Sequence, residues 1–232
     1  MHLLIPAAGR GRRMGSDRNK LLLPLMGQSV LAWTLQTANR CPDIEWIGII
    51  SQPYDWPDIK QILSDLALDT PVELVPGGDT RQDSVFNGLA ALPETATHVL
   101  IHDGARCLAT SDLFSRCAQA LQTCAGLIAA VPVKDTIKVV APESQQVAST
   151  PERAHLWAAQ TPQGFEVAQL RQCHRQGREQ QWAVTDDAAL FERCGLPVQI
   201  VAGEETNLKI TTPMDLAIAT FILQNRDSDT SQ

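Results

Sequence analysis

Positive charge is scarce in this sequence. Its 232 residues include 19 Lys and Arg against 26 Asp and Glu, a formal net charge of −7. That balance argues against a chain held to nucleic acid or to a membrane surface by its overall field, so any anionic ligand must meet a local cluster of cations. No apolar run reaches membrane-spanning length. No charged, apolar or cleavage-like leader precedes the first apolar segment, and a cytoplasmic protein with no membrane or nucleic-acid partner is expected. The six cysteines form no C-x-x-C pair, which excludes a zinc framework or a disulfide-stapled scaffold and predicts free thiols. Internal repeats and low-complexity tracts are also missing. Charged residues amount to 19% and hydrophobic ones to 44%, enough to build a sizeable core and to exclude wholesale disorder.

Strand-length apolar runs are present, and they alternate with stretches of helical period. Leu3–Ile5, Ile47–Ile50, Val72–Val75, His98–Ile101 and Leu127–Val131 read as buried strands. Helices are expected over Val30–Asn39, Trp56–Leu66, Ser84–Ala91 and Ser111–Thr123, with a further helix–strand–helix at 186–194, 198–201 and 214–223. This grammar predicts a Rossmann-like α/β fold, a mainly parallel sheet with helices on both faces. A single domain over residues 1–232 is expected, ending in a frayed tail at 225–232. One stretch breaks the alternation. Lys134–Val140, the turn Ala141–Ser144 and a return at Gln146–Thr150 read as an inserted β-hairpin, an arm of about 134–152, which needs something to pack against.

The strongest constellation follows the first strand, from Pro6-Ala7-Ala8-Gly9-Arg10-Gly11 to Lys20. Small residues let the backbone approach a polyphosphate, and successive N–H groups can form an anion-binding nest. Five of the 19 Lys and Arg fall within Arg10–Lys20, where average density would place about one. A dinucleotide fingerprint fits poorly, because Met14 stands where a third glycine is needed and the second strand ends Ser51-Gln52 without a ribose-binding acid. A phosphate loop of the Walker type fails as well, since Leu21 follows Lys20.

Pro6-Ala7-Ala8-Gly9-x-Gly11-x-Arg13-Met14 with Lys20 resembles the signature of sugar-phosphate nucleotidyltransferases, most closely the 2-C-methyl-D-erythritol 4-phosphate cytidylyltransferase family of the non-mevalonate isoprenoid pathway. The likeness continues through Gly77-Gly78-Asp79-x-Arg81-x-x-Ser84, His102–Arg106, Val133–Thr136, Trp157–Gln163, Thr185–Asp187 and Asn207–Thr211, in the family's order. Two positions depart from it: Asn19 and Cys107 stand where the family commonly has proline, and both are expected to alter loop stiffness.

The resemblance implies transfer of CMP from CTP to a small alditol phosphate, with Mg²⁺ bridging the phosphates. It casts Arg13 and Lys20 as catalytic groups that stabilise the transition state, tasks that suit a guanidinium fork and a point charge. Ala7, Ala8, Gly9, Gly11, Gly78, Asp79, Ser84 and Gly104 would bind the nucleotide. On the residues alone, Asp79 also reads as a plain helix N-cap. Asp103, at the carboxyl end of a strand, could face ribose, metal or acceptor hydroxyls. Arg106 would hold the acceptor or else pair with Asp103. Arg153 and Lys209 resemble the pair that grips the acceptor phosphate, with Thr136, Thr161 and Thr185 around them. His102 reads as structural, and Asp186 and Asp187 as first-turn helix acids with no fixed role. In the family the arm embraces a second subunit, which implies a homodimer that places Thr136 and Arg153 in the neighbouring site. Ribitol-5-phosphate cytidylyltransferase chemistry and a non-catalytic nucleotide-binding regulator are the competing readings. The small residue at Gly104 leans toward the methylerythritol family, and the retention of both Arg13 and Lys20 argues against a regulator.

Overall fold

The computed structural model describes residues 1–9 and 19–229. Strand β1 (His2–Pro6) is followed, in chain order, by the small hairpin β2 (Pro24–Leu25) and β3 (Gln28–Ser29), then α1 (Val30–Asn39), β4 (Trp46–Ser51), α2 (Trp56–Leu66), β5 (Val72–Pro76), α3 (Arg81–Ala91), β6 (His98–Ile101), α4 (Ser111–Ala120) and β7 (Gly126–Pro132). The second half contains β8 (Val139–Val140), β9 (Val147–Ser149), β10 (Trp157–Glu166), α5 (Val167–Glu179), α6 (Asp187–Arg193), β11 (Gln199–Ala202) and α7 (Pro213–Asp229). The central sheet runs β11-β7-β10-β6-β1-β4-β5. Only β10 is antiparallel to its neighbours. The fold expected from the alternation is the one found.

Strand period explains the two-sided core. Leu3 and Ile5 of β1 face one cluster and Leu4 faces the other, because successive side chains leave opposite faces of a sheet. On the first face α1 brings Leu31 and Leu35, α4 brings Phe114 and Cys117, and α7 brings Leu223. The opposite face receives Val85 and Leu89 of α3, Leu170 of α5 and Phe191 of α6. Each fully buried Leu, Ile or Phe contributes roughly 1.5–3 kcal/mol relative to exposure. Ser29, Thr80, Thr110 and Asp186 cap their helices through side-chain oxygens, the preferred chemistry for orphan N–H groups. All six cysteines are free. Among the described residues no helix is long and apolar enough to cross a membrane.

Three features differ from the sequence pattern. First, residues 157–179 carry a ten-residue strand and a helix that periodicity does not reveal. Pro162 and Gly164 disguise β10, whose register shifts between Ala159 and Gln163, and proline inside a sheet sits at such irregularities. Second, α7 continues past Leu223 through Asn225 and Arg226. Arg226 Nη2 donates to Leu108 O at 2.7 Å and to Thr206 Oγ1 at 3.0 Å, which ties down part of the segment read as frayed. Third, the hairpin ladder is shorter than its β-branched stretch. β8 and β9 pair only through Val139–Ser149 and Val140–Val147, and Ile137, Val139, Val140 and Val147 remain exposed.

Candidate active site

Strand order decides where a ligand can enter. β1 has β4 on one side and β6 on the other, so the chain reverses its winding direction there and leaves a crevice outside the strand ends. A cleft of about 750 Å³ opens at that point. Its floor is Pro6–Gly9 after β1 and Asp103–Ala105 after β6, with Gln52 after β4 and Gly78–Arg81 beyond β5. Ala7 N donates to Ile50 O at 2.7 Å, and Gly77 N to Ser51 O at 2.9 Å, which locks these strand exits side by side. Asn19, Lys20, Leu21, Ser84, Lys209 and Thr211 complete the lining.

The start of α3 shapes one wall. Thr80, not Asp79, is the N-cap, and its hydroxyl accepts from Asp83 N. Asp79 is left exposed on the cleft wall. Ser84 is buried, and its hydroxyl donates to Thr80 O at 2.9 Å while accepting from Gly78 N at 3.0 Å. Ser84 therefore braces the Gly78–Thr80 loop of this wall. A Cβ on Gly78 would lie 2.4 Å from Asp83 Cβ, so only glycine allows this approach.

Asp103, on the floor, gathers cations around it. Asp103 Oδ2 lies 2.6 Å from Lys209 Nζ and 3.9 Å from Arg106 Nε. Burial pushes the Asp103 carboxyl up, but Lys209, Arg81 and Arg106 outweigh it and leave the group below the usual range. It is ionised throughout the neutral region. Its backbone N–H donates to Thr161 Oγ1 at 3.0 Å, and that hydroxyl lies 3.0 Å from His102 Nδ1. His102 Nε2 lies 3.1 Å from Arg106 O. A carbonyl can only accept, so Nε2 carries the proton and Nδ1 accepts from Thr161. Burial lowers His102 to about 4, consistent with a neutral, structural imidazole. Thr161 thus acts through Asp103 rather than by lining the cleft.

Lys209 arrives on the segment after β11. Asn207, fully buried, donates through Nδ2 to Gln160 Oε1 at 3.1 Å and to Thr161 O at 2.8 Å. Ile210 N donates to Ala105 O at 2.9 Å. Lys20 Nζ donates to Ile210 O at 2.8 Å, which brings it beside the Lys209 segment from 190 residues away. Arg106 does not line the cleft. Its guanidinium donates to Asn207 O at 2.7 Å and Ala159 O at 3.3 Å, so in this chain it clamps the Lys209 segment onto β10. Arg106 is thus a brace for that segment, and of the two readings that the sequence left open the pair with Asp103 is present, at 3.9 Å.

Ala7, Ala8, Gly9, Lys20, Gly78, Asp79, Ser84, Asp103, Gly104 and Lys209 converge on the cleft. Thr136, Arg153 and Thr185 are exposed and outside this lining. Arg153 Nη1 donates to Lys134 O at 2.7 Å and ties together the two legs of the arm. Gly11 and Arg13 lie outside the described residues.

Arg81 carries a role that sequence reasoning missed. It lines the cleft, and its Nη2 makes an ion contact with Asp187 Oδ2 at 2.7 Å. Asp187 is almost fully buried and also receives His174 Nε2 at 3.1 Å. Neighbouring Asp186 is the N-cap of α6 and accepts from Gln163 Nε2. The Arg in the Gly78–Ser84 motif and the doubled acid at 186–187 were the only signals, and nothing local joins them. Burial pushes the Asp187 carboxyl up, yet Arg81 and His174 hold it below the usual range. A carboxylate with a depressed folded pKa stabilises the fold above its unfolded value of about 3.9, and that contribution is lost as pH falls through the folded value. Asp187→Asn is expected to cost about 2 kcal/mol at neutral pH, as for a charged hydrogen-bonding group. The difference in urea-unfolding free energy should shrink toward zero as the pH is taken below the Asp187 pKa.

Comparison with known proteins settles the family. The model of the 2-C-methyl-D-erythritol 4-phosphate cytidylyltransferase (IspD) family matches residues 1–225. The chain belongs to that family. A relative from Trichormus variabilis is 66% identical over 228 residues, covering 98% of this chain and 100% of that protein. One from Synechococcus elongatus is 67% identical over 226 residues, with 97% of each chain covered. Both are named 2-C-methyl-D-erythritol 4-phosphate cytidylyltransferase. Among solved structures, the 4-diphosphocytidyl-2C-methyl-D-erythritol synthase of Anaerococcus prevotii superposes with a TM-score of 0.86 at 34% identity, covering 96% of this chain and 97% of its own. The cytidylyltransferase of Thermus thermophilus gives 0.77 at 32% identity, with 96% and 98% covered.

Proposed function

We propose that this chain transfers CMP from CTP to 2-C-methyl-D-erythritol 4-phosphate, releasing pyrophosphate in non-mevalonate isoprenoid precursor synthesis. The observation that carries the site reading is the convergence of Lys20 and Lys209 on one strip of backbone, with Asp103 in contact with Lys209, in a cleft floored by Ala7–Gly9 and walled by Gly78. An acceptor phosphate oxygen attacks the α-phosphorus in line and forms the new P–O bond. The bond to the β-phosphate breaks, and pyrophosphate leaves with its electron pair. Charge builds on the equatorial oxygens, where the Lys20 ammonium and the Arg13 guanidinium stabilise it. Lys209, steered by Asp103, and Arg153 hold the acceptor phosphate. Asp79 and the glycine-rich wall receive the base and ribose.

The donor set suits Mg²⁺ carried mainly by the triphosphate. Among the described residues no cluster of three His, Cys, Asp or Glu could hold a metal ion alone, and Mg²⁺ is commonly bound by one or two carboxylates plus substrate phosphates. Asp103 would supply the protein oxygen, and the cation would neutralise phosphate charge.

The working unit proposed is a homodimer joined through the arm at 134–152. Thr136 and Arg153 sit on that arm, away from their own cleft, and the arm's apolar side chains are uncovered, with Val147 59% exposed. Pyrophosphate release tests substrate choice. With Mg²⁺ and CTP, methylerythritol phosphate should support turnover at least about 10²-fold faster than ribitol 5-phosphate or than reactions with ATP or GTP, because a site built to bond specific polar groups strongly rejects partners that leave them unpaired. Faster turnover of ribitol 5-phosphate would replace the acceptor assignment, and no release with any pair would leave a nucleotide-binding regulator.

A further inference from the structure

Asn19, immediately before Lys20, has both ends of its amide engaged. It is only 5% exposed. Nδ2 donates to Ala7 O at 2.7 Å and to Asp55 Oδ2 at 2.9 Å, while Oδ1 accepts from Leu21 N at 3.1 Å. These partners come from three separate places: the exit of β1, the 3₁₀ turn Pro53–Asp55 that follows Gln52, and the 3₁₀ turn Lys20–Leu22. Ala7, Gln52 and Lys20 all line the cleft. Asp55 is itself informative. It occupies the N-cap position of α2 yet makes no side-chain cap bond to that helix. Its buried carboxylate instead accepts from Asn19.

We infer that Asn19 is a positioning residue of the transfer reaction, which fixes the turn carrying Lys20 to β1 and to Asp55 and so sets where the Lys20 ammonium stands. Three hydrogen bonds on one planar amide determine both the location and the rotation of the turn. The amide's partner Leu21 is buried in the core, and Lys20 between them has its Nζ on Ile210 O. The first bond of the Lys20 side chain therefore leaves a backbone pinned on both sides. A lysine on four rotatable bonds holds a charge in place only as well as its backbone does, and catalysis is steep in position. The departure at position 19, read from the sequence as a matter of loop stiffness, thereby acquires a mechanism: side-chain hydrogen bonds set the geometry of the turn.

The inference rests on Lys20 as a transition-state stabiliser, so the test carries Lys20→Ala beside Asn19→Ala and the double variant. Steady-state kinetics with CTP, Mg²⁺ and methylerythritol phosphate should show Asn19→Ala lowering kcat by roughly 10- to 100-fold, with KM for CTP changed less than about threefold. In the Lys20→Ala background the same substitution should cost less than about threefold, because residues acting as a unit are non-additive. Asp55→Ala should reproduce much of the loss, and Asp55→Asn, whose amide oxygen still accepts, should lose far less. Those two variants carry the test if Asn19→Ala does not fold. An undiminished kcat in Lys20→Ala rejects the reading of Lys20. An undiminished kcat in Asn19→Ala beside an impaired Lys20→Ala rejects the present inference alone, as does an equal loss from Asn19→Ala in both backgrounds.

Discussion

Replacing Lys20 by Ala is expected to lower kcat by about 10²- to 10³-fold while KM for CTP changes by less than about fivefold. The ammonium stands at the end of the cleft where Lys209 and Asp103 also meet, with its Nζ 2.8 Å from Ile210 O. A fixed point charge is worth most where charge develops during reaction and where water is excluded. In the proposed ground state the triphosphate would also be met by backbone N–H groups and the cation, so the loss should fall on the transition state. Core packing is spared, because Leu21 and not Lys20 is the buried residue of this turn. A raised KM for CTP with unchanged kcat would instead make Lys20 a ground-state anchor. Lys209→Ala offers the contrast: its charge is proposed to grip the acceptor, so KM for the acceptor should rise more than KM for CTP.

Co-expression of a Lys20→Ala chain with an Arg153→Ala chain is expected to restore activity that neither parent has. Arg153 is exposed on the arm and bonded to Lys134 O, outside the lining of its own cleft. In a two-fold dimer that places Arg153 in the neighbour's site, a mixed pair concentrates both lesions in one site and leaves the other intact. Random assembly then returns about a quarter of all sites. Were Arg153 to act within its own chain, every site would keep one lesion, and purified mixed dimers would be as inactive as their parents. Dilution gives a second reading, since the recovered activity should be lost as subunits separate.

Much of the fold was legible because its determinants are local. The expected boundaries of α1 and α2 coincide with those found, since apolar spacing at helical period reports which face an element buries. Leu3-Leu4-Ile5 announced a strand covered on both sides, and β1 meets a cluster on each face. β10 was illegible for the converse reason. Its Pro162, Gly164 and buried Gln160, Thr161 and Gln163 satisfy distant partners instead of forming an apolar run. The candidate site divides along the same line. The small residues at 7–9, the Gly78 turn and the cation at Lys20 could be read from neighbours in sequence. The bracing role of Arg106 could not, because its partners Ala159 and Asn207 lie 53 and 101 residues away.

The sequence by itself therefore determined the alternation of strands and helices and the family's ordered motifs. Each of these is a property of residues within a few positions of one another. Tertiary structure alone decided that Asp187 holds Arg81 and His174, that Asn19 binds Ala7 and Asp55, and that Lys20 stands beside Lys209. Those pairings depend on strand order, which turns β1 and β6 into adjacent exits and carries residues 209–211 across to meet them. A polar side chain advertises its need for a partner in the sequence, but only burial and topology determine which partner it meets.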